Sequence, residues 1–98
     1  MADEVGTDKA RRLLRQWLRI LVADDEASVL ETAACILERA GMSVTRSTNG
    51  QDALERFKAA PESFHCVLLD LTMPVMGGAQ ACVEMRKIRP DVPVLFMS

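Results

Sequence analysis

Short apolar runs alternate along this chain with longer stretches whose apolar residues recur every three or four positions. Ile20-Leu21-Val22-Ala23, Cys66-Val67-Leu68-Leu69 and Val94-Leu95-Phe96-Met97 contain no polar residue, the mark of strands buried on both faces. Val44-Thr45-Arg46-Ser47 is shorter in apolar content and suits a strand at a sheet edge. Between these runs the period changes. Glu26 to Ala40 places Leu30, Ala33, Ala34, Leu37 and Ala40 on one helical face, and Gly41 follows as the stop. A second helix is predicted over Gln51 to Ala60, with Ala53, Leu54 and Phe57 inward and Pro61 ending it. A third runs from Gly78 to Ile88 and stops before Pro90. Ahead of the first strand, Ala10, Leu13, Leu14, Trp17 and Leu18 recur at helical spacing with arginines opposite. An amphipathic helix from Asp8 to Leu18 is expected there, packed on its own domain, after a tail over residues 1–8.

Buried strands alternating with helices predict an α/β fold: a doubly wound parallel sheet, covered on both faces and joined by right-handed crossovers. The division is residues 1–19 as tail and amphipathic helix, and 20–98 as the sheet domain. In open parallel sheets, functional groups collect beyond the carboxyl ends of the strands. That rule selects Asp24 and Asp25 after the first strand, Asp70 after the third and Ser98 after the fourth. The last strand is written like a central one, yet the sequence stops just beyond it. The expectation is a truncated domain, or one completed by another chain.

Composition narrows the reading. Ninety-eight residues at 49% hydrophobic content suit one small domain. A formal net charge of −2 argues against direct nucleic-acid binding driven by charge, although Lys9, Arg11, Arg12, Arg15 and Arg19 cluster near the start. No apolar run is long enough to span a bilayer, and the acidic opening Met1-Ala2-Asp3-Glu4 lacks the layout of a secretory signal. Cys35, Cys66 and Cys82 form no CxxC spacing. Each lies in an apolar stretch, and the plain reading is a reduced thiol serving as a small hydrophobe in a cytoplasmic protein.

Three carboxylates gathered on one rim repel each other, and a divalent cation relieves that repulsion. All-oxygen ligands select a hard ion, Mg²⁺ or Mn²⁺, and the lack of nearby His or Cys disfavours zinc. A carboxylate beside such an ion can act as a nucleophile towards phosphorus and form an acyl phosphate. Ser98 would then offer a hydroxyl to that phosphate. His65 opens a strand, where a structural role fits better than that of a phosphodonor.

Leu21-Val22-Ala23-Asp24-Asp25-Glu26, Leu68-Leu69-Asp70-Leu71-Thr72-Met73-Pro74, the Gly77-Gly78 pair and Val94-Leu95-Phe96-Met97-Ser98 together resemble the receiver domain of response regulators and hybrid kinases. The resemblance covers residues 20–98 and implies a flavodoxin-like fold. It implies that Asp70 takes a phosphoryl group from a histidine kinase or phosphotransfer protein in a two-component phosphorelay. It implies Mg²⁺ held directly by Asp25, Asp70 and the backbone carbonyl of Thr72, with Asp24 acting through water and Ser98 as the switch hydroxyl. Two departures stand out. Gly77 occupies a position that is usually acidic. The family also has five strand–helix units, whereas this sequence stops after four strands, without the fifth strand, its phosphate-contacting lysine or the adjacent helices. Slow or absent phosphorylation and no normal output surface are therefore expected.

The leading reading is a phosphoacceptor module with no external turnover substrate. An enzyme of the haloacid-dehalogenase type is disfavoured, because the second aspartate it needs two residues after the nucleophile is Thr72 here. The remaining alternative is a phosphorylation-deficient interaction or dimerisation fragment, with a homodimer formed through the last strand or the N-terminal helix.

Overall fold

The computed structural model describes residues 18–97; residues 8–17 of the expected amphipathic helix, Trp17 among them, and Ser98 lie outside the described residues. In chain order the elements are β1 (Arg19–Ala23), α1 (Ala27–Arg39), β2 (Ser43–Ser47), α2 (Gly50–Ala59), β3 (Cys66–Asp70), α3 (Gly78–Ile88) and β4 (Val94–Met97). The strands form one parallel sheet in the order β2-β1-β3-β4. Ile20 lies opposite Val44 on one side and Cys66 on the other, and Leu68 lies opposite Leu95. The doubly wound parallel sheet expected from the strand pattern is therefore present, with the polar strand β2 at one edge.

Side chains alternate across the pleat, so each central strand feeds two cores. Leu21 and Ala23 of β1 and Val67 and Leu69 of β3 point to one side. There they meet Ala53, Leu54 and Phe57 of α2 and Ala81, Cys82 and Met85 of α3. Ile20 and Val22 point to the other side, against Leu30 of α1, with Ala33, Leu37, Val44, Leu68 and Met97 partly buried around them.

Element boundaries shift by about one residue from the sequence reading. α1 starts at Ala27 and α2 at Gly50, while β3 runs one residue further, so Asp70 is its last member. Gly41, just after α1, adopts φ 95°, a left-handed turn that glycine accepts without a Cβ penalty. One expectation is corrected. Cys35 is exposed, whereas Cys82 is buried and Cys66 half-buried. Cys35 lies off the helical face formed by Leu30, Ala33, Ala34 and Leu37, so an apolar neighbourhood in sequence did not bring it inward.

The two faces are fastened differently. Arg46 of β2 reaches both Glu31 at 2.9 Å and Glu38 at 2.8 Å on α1, at the protein surface. On the other side Asn49 caps α2 by accepting the Asp52 N–H at 2.7 Å. The buried Ser47 hydroxyl donates to the Asp52 carboxylate at 2.7 Å. At the amino ends of the strands, His65 Nδ1 accepts the Arg19 N–H at 2.9 Å, the structural role its position suggested. Arg89 ties the carbonyls of Pro61 and Phe64 to the end of α3.

Candidate functional site

Where β1 ends, the Asp24 N–H bonds to the Ser47 carbonyl at 3.1 Å, continuing the ladder for one residue and fixing the backbone at that point. Asp24 is only 4% exposed, while Asp25 next to it faces solvent. Asp70 ends the adjacent strand β3. Since Leu69 is committed to the α2/α3 core, alternation turns Asp70 to the side of α1. Each of Asp24, Asp25 and Asp70 offers a carboxylate oxygen, and these oxygens all lie within 4.8 Å of one another. The strand pattern predicted this convergence, and the fold produces it.

The three acids open on a cleft of about 520 Å³ lined by Asp24, Asp25, Glu26, Val29, Asp70, Leu71, Thr72 and Met97. None of these is cationic, so among the described residues no side chain lining the cleft neutralises the acids. Backbone dipoles do part of that work. Asp24 Oδ1 accepts the Glu26 N–H at 2.9 Å, and α1 begins directly after it without any side-chain cap. Negative charge at a helix N-terminus is favoured. Asp70 Oδ1 receives only a long contact of 3.4 Å from the Thr72 N–H, which leaves its oxygens largely free. The donor set is all oxygen, one member is buried, and the three oxygens are close enough to serve one ion, directly or through water. Those features fit a hard divalent cation.

The loop from β3 to α3 is held close to the site. A Cβ on Gly78 would come within 2.3 Å of the Asp70 carbonyl oxygen, and one on Gly50 within 2.1 Å of the Met76 carbonyl oxygen. Between these anchors the Met76 N–H bonds back to the Pro74 carbonyl at 2.7 Å, forming a γ-turn centred on Val75 at φ 69°. A β-branched residue in that region is strained. Val75 is also 82% exposed. Burial therefore does not hold it there.

Thr72 lines the cleft, with its N–H directed at Asp70. Ser98 lies outside the described residues. Glu26, Val29 and Met97 were not singled out as site residues by sequence. Glu26 adjoins the acidic pair and could have been suspected. Val29 and Met97 carry no polar signal and reach the cleft only through packing.

The fold and the acid-lined rim at the carboxyl ends of the strands define a class, the flavodoxin-like receiver fold of the CheY type. Comparison with known proteins agrees. The family model for the response regulator receiver domain matches residues 20–98, and the chain belongs to that family. It is 37% identical over 81 residues to Response regulator RR06 of Streptococcus pneumoniae, covering 83% of this chain and 36% of that protein. It is 35% identical over 81 residues to the chemotaxis protein CheY of Thermotoga maritima, covering 82% of this chain and 66% of that one. Among solved structures, the response regulator TrrA of Thermotoga maritima, in complex with Mg²⁺ and beryllofluoride, superimposes with a TM-score of 0.74 at 32% identity, over 79% of this chain and 65% of that one. The chain spans about a third of the length of the first curated relatives it matches. Membership places it within two-component signalling. Among the described residues no helix is long and apolar enough to cross a membrane.

Proposed function

We propose that this chain is a phosphoacceptor module that takes a phosphoryl group onto Asp70 from a phosphohistidine of a histidine kinase or phosphotransfer protein. The observation that carries the reading is the convergence of the Asp24, Asp25 and Asp70 carboxylate oxygens within 4.8 Å of one another. Asp70 is the nucleophile, because its oxygens are the least committed of the buried or half-buried pair and it stands at the open cleft. One of its oxygens attacks phosphorus, the P–N bond breaks, and the released imidazole nitrogen is left to take up a proton. Asp25, Asp70 and the Thr72 carbonyl would hold Mg²⁺, with Asp24 supporting it through water; the bound ion supplies charge neutralisation for the incoming phosphoryl oxygens. Asp24 is orientated for this by the Glu26 N–H, and Val29, Leu71 and Met97 give the cleft apolar walls. The chain is read as an acceptor in the cytoplasm, not as an enzyme with an external turnover substrate. The Mg²⁺–beryllofluoride complex of TrrA supports the ion and the acceptor chemistry.

Titration with Mg²⁺ and beryllofluoride, followed by ¹⁵N amide shifts, tests it. The wild type should show saturable shifts at residues around 24–26 and 70–72, and Asp70→Asn should lose at least tenfold in beryllofluoride affinity. An unshifted wild-type spectrum would end the reading. A second reading, a phosphorylation-deficient interaction or dimerisation fragment, is favoured by one feature, the exposure of Leu95 and Phe96 on the apolar strand β4. That outcome predicts no beryllofluoride response together with a dimeric mass.

A further inference from the structure

The turn between β2 and α2, residues 47–50, does not line the acidic cleft, yet its backbone holds two separate parts of it. At one end the Ser47 carbonyl accepts the Asp24 N–H at 3.1 Å. At the other the Gly50 N–H, one of the amides that α2 leaves without an intrahelical partner, donates to the Met76 carbonyl at 3.0 Å. Met76 belongs to the loop that carries Thr72. The turn joining these contacts is stiff. The buried Ser47 hydroxyl lies 3.0 Å from the Asn49 carbonyl and 2.7 Å from the Asp52 carboxylate, and Asn49 in turn caps α2.

Gly50 is the tightest point of this bridge. Its φ is not in the left-handed region that Gly41 occupies, and by propensity alone alanine is the better helical residue. Space accounts for the glycine. An added Cβ would stand 2.1 Å from the Met76 carbonyl oxygen and 2.8 Å from its carbon. α2 cannot back away, because Ala53, Leu54 and Phe57 fix it in the core. The far end of the loop is pinned too: the Leu71 N–H bonds to the Met97 carbonyl at 3.3 Å, and the Leu71 carbonyl accepts the Gly78 N–H at 3.0 Å. Between the two ends only the flexible Met73 side chain is buried, so a push on Met76 reaches Thr72. We propose that Gly50 is a positioning residue that sets the cation selectivity of the acidic site, by fixing the Thr72 backbone relative to Asp24 and Asp25. The inference rests on the metal reading proposed above. Mg²⁺ needs near-octahedral donors at about 2.0–2.1 Å, whereas Ca²⁺ accepts irregular sets at about 2.3–2.6 Å. A donor frame held on both sides by one stiff turn suits the stricter ion, and a displaced frame penalises that ion first.

Amide-shift titrations of the full chain with magnesium chloride and with calcium chloride test it, each variant at a temperature where circular dichroism shows it folded. Gly50→Ala should weaken Mg²⁺ binding by about tenfold or more and Ca²⁺ binding by less than about threefold. With no cation added, the same variant should already shift the amides of Leu71 to Met76. Met76→Gly frees the same carbonyl without a clash. It should move the ratio of the two affinities in the same direction, and it decides the matter if Gly50→Ala does not fold. Leu54→Ala, buried in α2 and outside the cleft lining, controls for lost stability. Both of its affinities should stay within about twofold of wild type. An unchanged ratio in the Gly50 and Met76 variants overturns the proposal and leaves the metal site standing, as does an equal change of ratio in the control. A wild type that binds neither cation overturns the metal reading and this inference together.

Discussion

The two sides of the sheet are built to different standards. On the α2/α3 side, two helices meet both central strands, and Phe57, Leu21, Leu69, Met85, Val67 and Val92 are all essentially inaccessible to water. On the α1 side the buried residues are fewer and smaller, Ile20, Val22, Leu30 and Ala34, and their neighbours Ala33, Leu37, Val44, Leu68 and Met97 stay partly wet. The polar fastenings follow the same division. α2 is tied by a part-buried set, Asn49, Ser47 and Asp52, whereas α1 is held to β2 by an exposed arginine fork. Stability is therefore concentrated on one side, while the acidic cleft opens on the lightly packed side. Under the proposed function this cleft admits an ion and a partner, and such regions are expected at the low-stability end of a domain.

Substitutions in the two cores give the largest expected contrast. Phe57→Ala should destabilise by about 4 kcal/mol, because a fully enclosed ring leaves a cavity that cannot collapse. Leu30→Ala should cost about 2 kcal/mol, at the floor of the range for buried leucines, since α1 can settle towards the sheet. Urea unfolding of both variants measures the difference; equal losses would break the comparison.

The fastening of α2 comes next. Asn49→Ala removes the cap on the Asp52 N–H and should cost about 1 kcal/mol by the same measurement. The Ser47 hydroxyl and then Arg56 hold the Asp52 carboxyl below its ordinary value of 3.8. A carboxylate depressed in the folded state contributes stability that is fully present above its unfolded value and fades as pH falls through its folded one. Stability should thus decline below about pH 4 in wild type. Ser47→Ala should make that decline shallower, and an unchanged slope would show that Asp52 is not responsible.

The smallest effect belongs to the exposed fork. Arg46→Met should weaken the protein slightly in dilute buffer, and the loss should vanish near 1 M salt, where charges are screened within about 3 Å. A loss that persisted in salt would mean that Arg46 contributes through packing of its stem.

Much of this was legible beforehand because the strands are so uniformly apolar. A four-residue run buried on both faces places whatever follows it at the rim, so Asp24, Asp25 and Asp70 could be brought together from spacing alone. Other features were hidden for identifiable reasons. The inward face of α1 was legible from its period, with Leu30, Ala33, Ala34 and Leu37 turned to the sheet, whereas Cys35 was read from its apolar neighbours instead of from that period and proved exposed. Val75 gave no sign of its left-handed backbone, since a β-branched residue seldom adopts it. Arg89 reads as an ordinary charge near a helix end, and its carbonyl partners lie 25 and 28 residues away in sequence.

Those two glycine contacts also determine what can move. Both are backbone against backbone, so no change of rotamer can relax them, and they bracket the segment from Leu71 to Met76. Within those six residues the γ-turn at Val75 stands strained between two close backbone approaches, like a bent spring between two clamps.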